Sequence, residues 1–415
     1  MNIKDKLARL DNAGRKPTPE PPQYERWKQE VEEELQAKII TEEKSFVFLK
    51  ESYHPLSPDK TLCWLQERDF QVHHLHRICG SGANLENGIN LRKTLFIDTE
   101  TTGLAGGTGT YAFLIGIGHL ELDHVVVRQY VLPDFQHEWL MLKLVEGALQ
   151  GYELIVTFNG KSFDVPLLKN RYILNRMDSI LEEIPHLDIL HAARRIWKDH
   201  LPSCNLQTLE SYVLNNNRIE DIPGSLIPQI YFEFIRKRDA LMLRDVLEHN
   251  FHDIVNLALL TIHMAAIGED PVQYLEHPKE LFSLARYFHN TRQFEEMIPI
   301  LEYLVQRYPG MEINTYRECL YYLANGYKKL GNSAQAKEYL TTLIERQIYH
   351  PLIVEELAKI YEHEEKDFGK AKEVVEKGIR YLETLQQLGG KSENLRFLPA
   401  LNHRYNRLIS KLSKV

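Results

Sequence analysis

Leu95-Phe-Ile-Asp-Thr-Glu-Thr-Thr-Gly-Leu104 is the stretch on which the reading of this chain turns. Leu95, Phe96 and Ile97 form an apolar run of the kind that makes a buried strand, and Gly103 ends it. Asp98 and Glu100 are two residues apart at the end of that run, so both carboxylates point to the same side of the sheet. Two carboxylates crowded at an apolar strand end repel each other and lose hydration, and a divalent cation between them relieves both costs. Thr99 and Thr101 alternate to the opposite side.

Working outward, YAFLIGIGHLEL (111–122) and HVVVRQYVL (124–132) are two further strand-like runs joined by short turns, so with 95–98 they read as an antiparallel meander. EWLMLKLVEGAL (138–149) has helical period, ELIVTF (153–158) is an apolar strand, and VPLLKNRYIL (165–174) is a helix. Three antiparallel strands, a crossover helix and then a parallel strand predict a mixed α/β sheet with flanking helices.

Two further segments bring chemistry to that sheet. In VTFNGKSFDVPLL (156–168) a strand ends at Phe158, Asn159-Gly160 turns the chain, and Asp164 precedes a helix that begins with Val165-Pro166. Asp164 reads equally as a helix cap and as a metal-facing carboxylate. In LEHNFHDIVNLALL (247–260), Ile254, Leu257 and Leu260 place the segment on a helix packed against the sheet. His249 and Asp253 then lie one turn apart on one face of it, while His252 lies on another.

The 415-residue chain is 43% hydrophobic, carries 50 basic and 58 acidic residues, and has four well-separated cysteines. This composition predicts two or three folded domains, excludes nucleic-acid capture by bulk positive charge, and favours a reducing, cytoplasmic setting over a disulfide scaffold. No secretory signal is read at the N-terminus, and the apolar stretches AFLIGIG and LALLTIHMAAI fall short of the ~20 residues a bilayer span needs, so no membrane role is expected. Residues 1–22 read as a flexible leader and 23–91 as an extension packing on the following domain. In that extension Tyr24–Ile40 has helical spacing, and FVFLKESY and FQVHHLHRI look like strands. The central domain spans 92–268. Across 279–415, LARYF, LANGY and LAKIY recur at offsets of 39 and 34 residues, each followed by a second amphipathic helix, with Ala285, Ala324 and Ala358 where paired helices cross. That period predicts an all-α tetratricopeptide-like array ending in a capping helix.

The ordered set of DxE, NGxxFD and HNxxD in these strand and helix contexts resembles the DEDD exonucleases, and most closely the YprB-type, ribonuclease-H-like domain of the DnaQ-like superfamily. HLDILHAARRIWKDHLPSCNLQTLE (186–210) resembles the intervening helices of that domain. The resemblance implies that Asp98, Glu100, Asp164 and Asp253 hold two divalent cations, Mg²⁺ or Mn²⁺. It also implies metal-dependent 3′-to-5′ hydrolysis of single-stranded DNA or RNA. His249 stands at the spacing where some relatives carry a water-orienting tyrosine, so it matches the position of a general base, while the five-residue spacing other relatives use falls on Glu248. Two cations ~3.5–4 Å apart would neutralise the phosphodiester and acidify water.

Leu104 and Phe163 are expected against terminal bases, and Asn159 and Lys161 at the substrate, with Lys169 and Arg171 as further phosphate partners. A protein partner is expected at the repeats. The alternative is an adaptor whose repeats act while the nuclease-like fold turns over little, and endonucleolytic use of the same metals is a third reading. GLAGGTGT (103–110) fits neither phosphate-cradle motif and reads as a turn. The His73, His74 and His76 cluster lacks a recognisable zinc spacing, and Arg194-Arg195 and Arg236–Arg238 read as solvated helix faces.

Overall fold

The structure is a computed structural model that describes Trp27 and residues 29–57, 60–80, 88–103, 109–218, 221–388 and 393–413. Its chain divides into two compact units, one holding the described residues to 194 with 201–269, the other 195–200 with 270 onward.

The first unit is built on a mixed seven-stranded sheet. Its strands are β1 (Lys38–Glu42), β2 (Ser45–Pro55), β5 (Thr94–Thr101), β6 (Ala112–Leu120), β7 (His124–Val131), β8 (Leu154–Thr157) and β9 (His186–Asp188), in the order β1-β2-β7-β6-β5-β8-β9. A two-stranded ladder of β3 (Gln71–Val72) and β4 (Ile89–Asn90) stands apart from it. β5, β6 and β7 form the antiparallel meander, and β8 and β9 extend it in parallel from β5. The expected meander, crossover and parallel strand are therefore present.

The 38–55 hairpin adds two strands to the sheet through the β2–β7 pairing. Two local expectations there are corrected. Helical spacing gives way after the π-turn Glu30–Glu34, and Ile39 and Ile40 pair in β1 instead. In FQVHHLHRI only Gln71 and Val72 are strand. Leu75–Cys79 is a helix whose Leu75 and Ile78, three apart, are both buried, so burial at helical spacing overrides the local alternation.

The helices of this unit are α1 (Lys60–Gln66), α2 (Leu75–Cys79), α3 (Glu138–Leu149), α4 (Asp164–Leu174), α5 (Leu190–Trp197, whose last three residues belong to the second unit), α6 (Leu206–Tyr212), α7 (Ile227–Lys237) and α8 (Arg244–Glu269). Side-chain alternation along β6 sets the layers. Phe113, Ile115 and Ile117 face a core that includes Leu140 of α3 and Tyr231 of α7, and Tyr231 stacks on Phe113 with ring centroids 3.9 Å apart.

On the opposite face Gly116 and Gly118 leave room for α8. A Cβ on Gly116 would come 2.3 Å from Asn250 Oδ1, and one on Gly118 would come 2.3 Å from Ile254 Cγ2. Glycines inside a strand mark such close approach, and here they bring the helix carrying His249 and Asp253 down onto the strand next to Asp98. The helical stretch Ala240–Glu269 is long and apolar enough to cross a bilayer, yet most of it is buried within this unit, as in a core helix.

The second unit contains the helix pairs α9 (Pro278–Asn290) with α10 (Phe294–Arg307), α11 (Ile313–Lys329) with α12 (Ser333–Glu345), and α13 (Pro351–Lys359) with α14 (Phe368–Gln387), followed by α15 (Leu398–Leu412). Ala285, Ala324 and Ala358 are all buried where the pairs pack. The buried Glu362 carboxylate binds Arg404, Arg407 and Lys411 at 2.7–2.8 Å, which fastens α15 to the preceding repeat.

Candidate active site

Asp98 and Glu100 sit at the end of β5, opposite Gly116 and Leu114 of β6, where a bulge follows Glu100. The close approach of α8 gives Asp98 its partner. Asn250 Nδ2 donates to Asp98 Oδ2 at 2.9 Å, and the Asn250 Oδ1 accepts from Gln129 Nε2 at 3.0 Å, which also donates to Leu247 O at 2.7 Å. Asn250 and Gln129 are both fully buried, so this chain fixes the Asp98 rotamer.

The second segment is held from beneath. Asn159 takes a left-handed backbone (φ 70°), and a Cβ on Gly160 would lie 2.6 Å from Thr157 Oγ1. Asp188, at the end of β9, accepts from the backbone N–H of Asn159 (2.9 Å), Lys161 (3.0 Å) and Leu190 (3.1 Å). The turn therefore delivers Asp164 as the first residue of α4, where its Oδ1 accepts from Thr99 Oγ1 at 2.5 Å. Phe163 is its capping position without a side-chain cap, and that ring is 57% exposed at the cleft.

The third segment adds His249 and Asp253. His249 Nε2 lies 3.8 Å from Glu100 Oε1 and 3.4 Å from Asp253 Oδ2, while Nδ1 lies 2.8 Å from Asp221 Oδ1. Arg218, 5% exposed at its side chain, stands behind them. It grips Glu210 with two nitrogens, reaches Asp221 Oδ2 at 2.9 Å, and binds Asp253 Oδ1.

The electrostatics follow from this crowding. Burial, then repulsion from Asp253, Asp164 and Glu100, pushes the Asp98 carboxyl well above its ordinary range, with the Asn250 bond opposing. Burial and then Asp253, Asp164 and Asp221 do the same to Glu100, against Arg218. Asp164 is also raised by burial, less so because Thr99 and backbone donors favour its charged form. Burial opposes ionisation of Asp221 as well, but the His249 and Arg218 contacts carry it below the ordinary value. Arg218 alone therefore leaves the cluster with surplus negative charge, which is the condition a divalent cation relieves. Donor atoms of Glu100, His249 and Asp253 lie within 4.8 Å of one another, so these residues fit a cation.

Asp98, Glu100, Asn159, Phe163 and Asp164 line a cleft of about 540 Å³. Lys161 is exposed in the turn beside Asn159. Leu104 lies outside the described residues. Lys169 is paired with Glu182. Arg171 is corrected as a phosphate partner. Its guanidinium is buried, holds both oxygens of Glu138 at 2.5 and 2.6 Å, and stacks 3.7 Å from the Tyr111 ring centroid. Sequence reasoning did not reach Asn250, Gln129, Asp188, Arg218, Asp221 or Glu210. Asn250 alone carried a signal, as the Asn of HNxxD.

Comparison with known proteins finds a match within each unit. The profile of the ribonuclease H superfamily matches residues 95–265. A tetratricopeptide-repeat profile matches residues 318–347, which cover most of α11 and all of α12. The chain is 34% identical over 343 residues to the uncharacterized protein YprB of Bacillus subtilis (strain 168), a match covering 81% of each chain.

Proposed function

The chain belongs to the YprB family, with a ribonuclease H superfamily domain and a tetratricopeptide repeat, and from that premise we propose that it is a metal-dependent 3′-to-5′ exonuclease on single-stranded DNA or RNA. The observation that carries the reading is the convergence of Asp98, Glu100, Asp164 and Asp253, with burial and mutual repulsion raising the first two well above their ordinary range. A site that maintains such charge without a ligand loses stability for nothing.

Asp98, Glu100, Asp164 and Asp253 would hold two divalent cations, Mg²⁺ or Mn²⁺. Bound there, such ions neutralise the phosphodiester, acidify water and stabilise the departing 3′-oxygen. The protein's own groups do the positioning. Asn250 and Gln129 hold Asp98 in one rotamer, and Thr99 orients Asp164. The exposed Phe163 ring offers a stacking platform for the terminal base, and Lys161 faces the backbone phosphates from the Asn159 turn. His249, tied to Asp221, belongs to the reacting edge beside Glu100 and Asp253.

The repeat unit serves as the contact for a protein partner, as stacked helix pairs commonly do. A cytoplasmic setting is consistent with four cysteines that form no disulfide. The test is incubation of end-labelled single-stranded DNA and RNA with Mn²⁺, Mg²⁺ or EDTA. Stepwise shortening from the 3′ end that EDTA stops supports the proposal. Intact oligonucleotides with both metals, from folded protein, refute it.

A further inference from the structure

The geometry points to His249 as a metal ligand through Nε2, joining Glu100 and Asp253 in a one-imidazole, two-carboxylate half-site that takes an imidazole-tolerant first-row cation such as Mn²⁺ in preference to Mg²⁺. This inference rests on the phosphodiesterase reading and deepens it, because it replaces the general-base role implied by motif position.

Three observations carry it. First, the imidazole is oriented by a carboxylate. His249 Nδ1 lies 2.8 Å from Asp221 Oδ1, so the network assigns its proton to Nδ1 and leaves Nε2 facing Glu100 and Asp253. A ring nitrogen held by a carboxylate is the arrangement that supports metal-bound histidines. Asp221 is itself pinned by Arg218 at 2.9 Å, so its carboxylate cannot follow the ring, and turning the ring away gives up the Nδ1 bond.

Second, the donors stand close to the spacing of a coordination shell, one pair within it and the others a short side-chain adjustment outside it. Nε2 is 3.4 Å from Asp253 Oδ2 and 3.8 Å from Glu100 Oε1, with the three residues' donors inside 4.8 Å. Ligands bound at ~2.0–2.2 Å around one cation stand roughly 3–3.6 Å apart.

Third, Arg218 occupies Asp253 Oδ1 and so reserves Oδ2, the oxygen nearest His249, for a cation. The chemistry of the donor set then sets the preference. Mg²⁺ favours oxygen ligands and retained waters, whereas Mn²⁺ and later first-row ions accept imidazole. Asp98 and Asp164, whose partners are Asn250 and Thr99, bring oxygen donors only, so the carboxylate cluster has two chemically unequal halves.

The test is pulsed electron paramagnetic resonance of Mn²⁺ bound to the full-length protein, with Mn²⁺ and Mg²⁺ titrations of wild type and His249→Gln. The expected spectrum shows a directly coordinated imidazole nitrogen, lost in His249→Gln. That variant should bind Mn²⁺ about tenfold more weakly while Mg²⁺ affinity moves far less. A wild-type spectrum without nitrogen coupling overturns the inference whether or not the variant folds, and so does unchanged Mn²⁺ affinity in a folded His249→Gln. EDTA-sensitive hydrolysis alongside a nitrogen-free spectrum refutes this assignment alone. Absence of both Mn²⁺ binding and hydrolysis refutes the exonuclease reading with it.

Discussion

Glu100→Gln should make the metal-free protein more stable. The donor oxygens of Glu100 and Asp253 lie within 4.8 Å, and two unit charges at that distance repel by about 3.5 kcal/mol at an effective dielectric of ~20. Arg218 binds Asp253 directly and offsets part of this, leaving a net relief of about 1–2 kcal/mol. For a unit of this size that corresponds to a Tm increase of about 2–8 °C.

The sign with pH follows from the raised Glu100 carboxyl, whose first cause is burial and whose second is Asp253. The folded state keeps this proton to higher pH than the unfolded chain. Stability is therefore intact below the unfolded carboxylate range, ~4.3, and is lost as pH rises through the folded value. The advantage of the variant should vanish near pH 4 and grow toward pH 8. Mn²⁺ should raise the wild-type Tm more than that of the variant, since the cation removes the same repulsion. Thermal unfolding in EDTA and in Mn²⁺ across this pH range checks all three. A metal-free Glu100→Gln less stable than wild type at pH 8, or an advantage independent of pH, would refute the reasoning.

Gly118→Ala should cost about 1–3 kcal/mol in denaturant unfolding, because the new methyl meets Ile254 at 2.3 Å. Arg218→Met removes the counter-charge of Glu210, Asp221 and Asp253, and a loss of about 3–5 kcal/mol is expected from the same measurement. Phe163→Ala, at a ring 57% exposed, should leave Tm unchanged while weakening oligonucleotide binding by about 1–3 kcal/mol in a fluorescence titration. Glu362 is held down to about 2 from 4.5: burial opposes this, and Lys411 and Arg407 overcome it. The repeat unit should therefore lose about 3 kcal/mol as pH falls from 4.5 through 2, and Glu362→Gln should flatten that acid limb in circular dichroism.

The sheet was legible where burial left a strong local pattern. LFID, AFLIGIG and HVVVRQYV are runs with few alternatives, and the repeat helices declared themselves through Ala285, Ala324 and Ala358. FQVHHLHRI was misread because its alternation is short and the burial of Leu75 and Ile78 is a tertiary outcome. The carboxylates stood out because acidic groups at apolar strand and helix positions are costly. Their supports did not, since Arg218 and Asp221 lie in a stretch without apolar period and find Glu210, His249 and Asp253 only through space. Arg171 shows the converse, a cation near the right motif that the fold commits to Glu138.

The most direct test of the central claim compares wild type with Asp98→Asn on one 5′-labelled single-stranded oligonucleotide in Mn²⁺, with circular dichroism confirming equal folding. The account predicts a ladder of 3′-shortened products from wild type and none from the variant. Equal hydrolysis by the two proteins, or none by either, would contradict it.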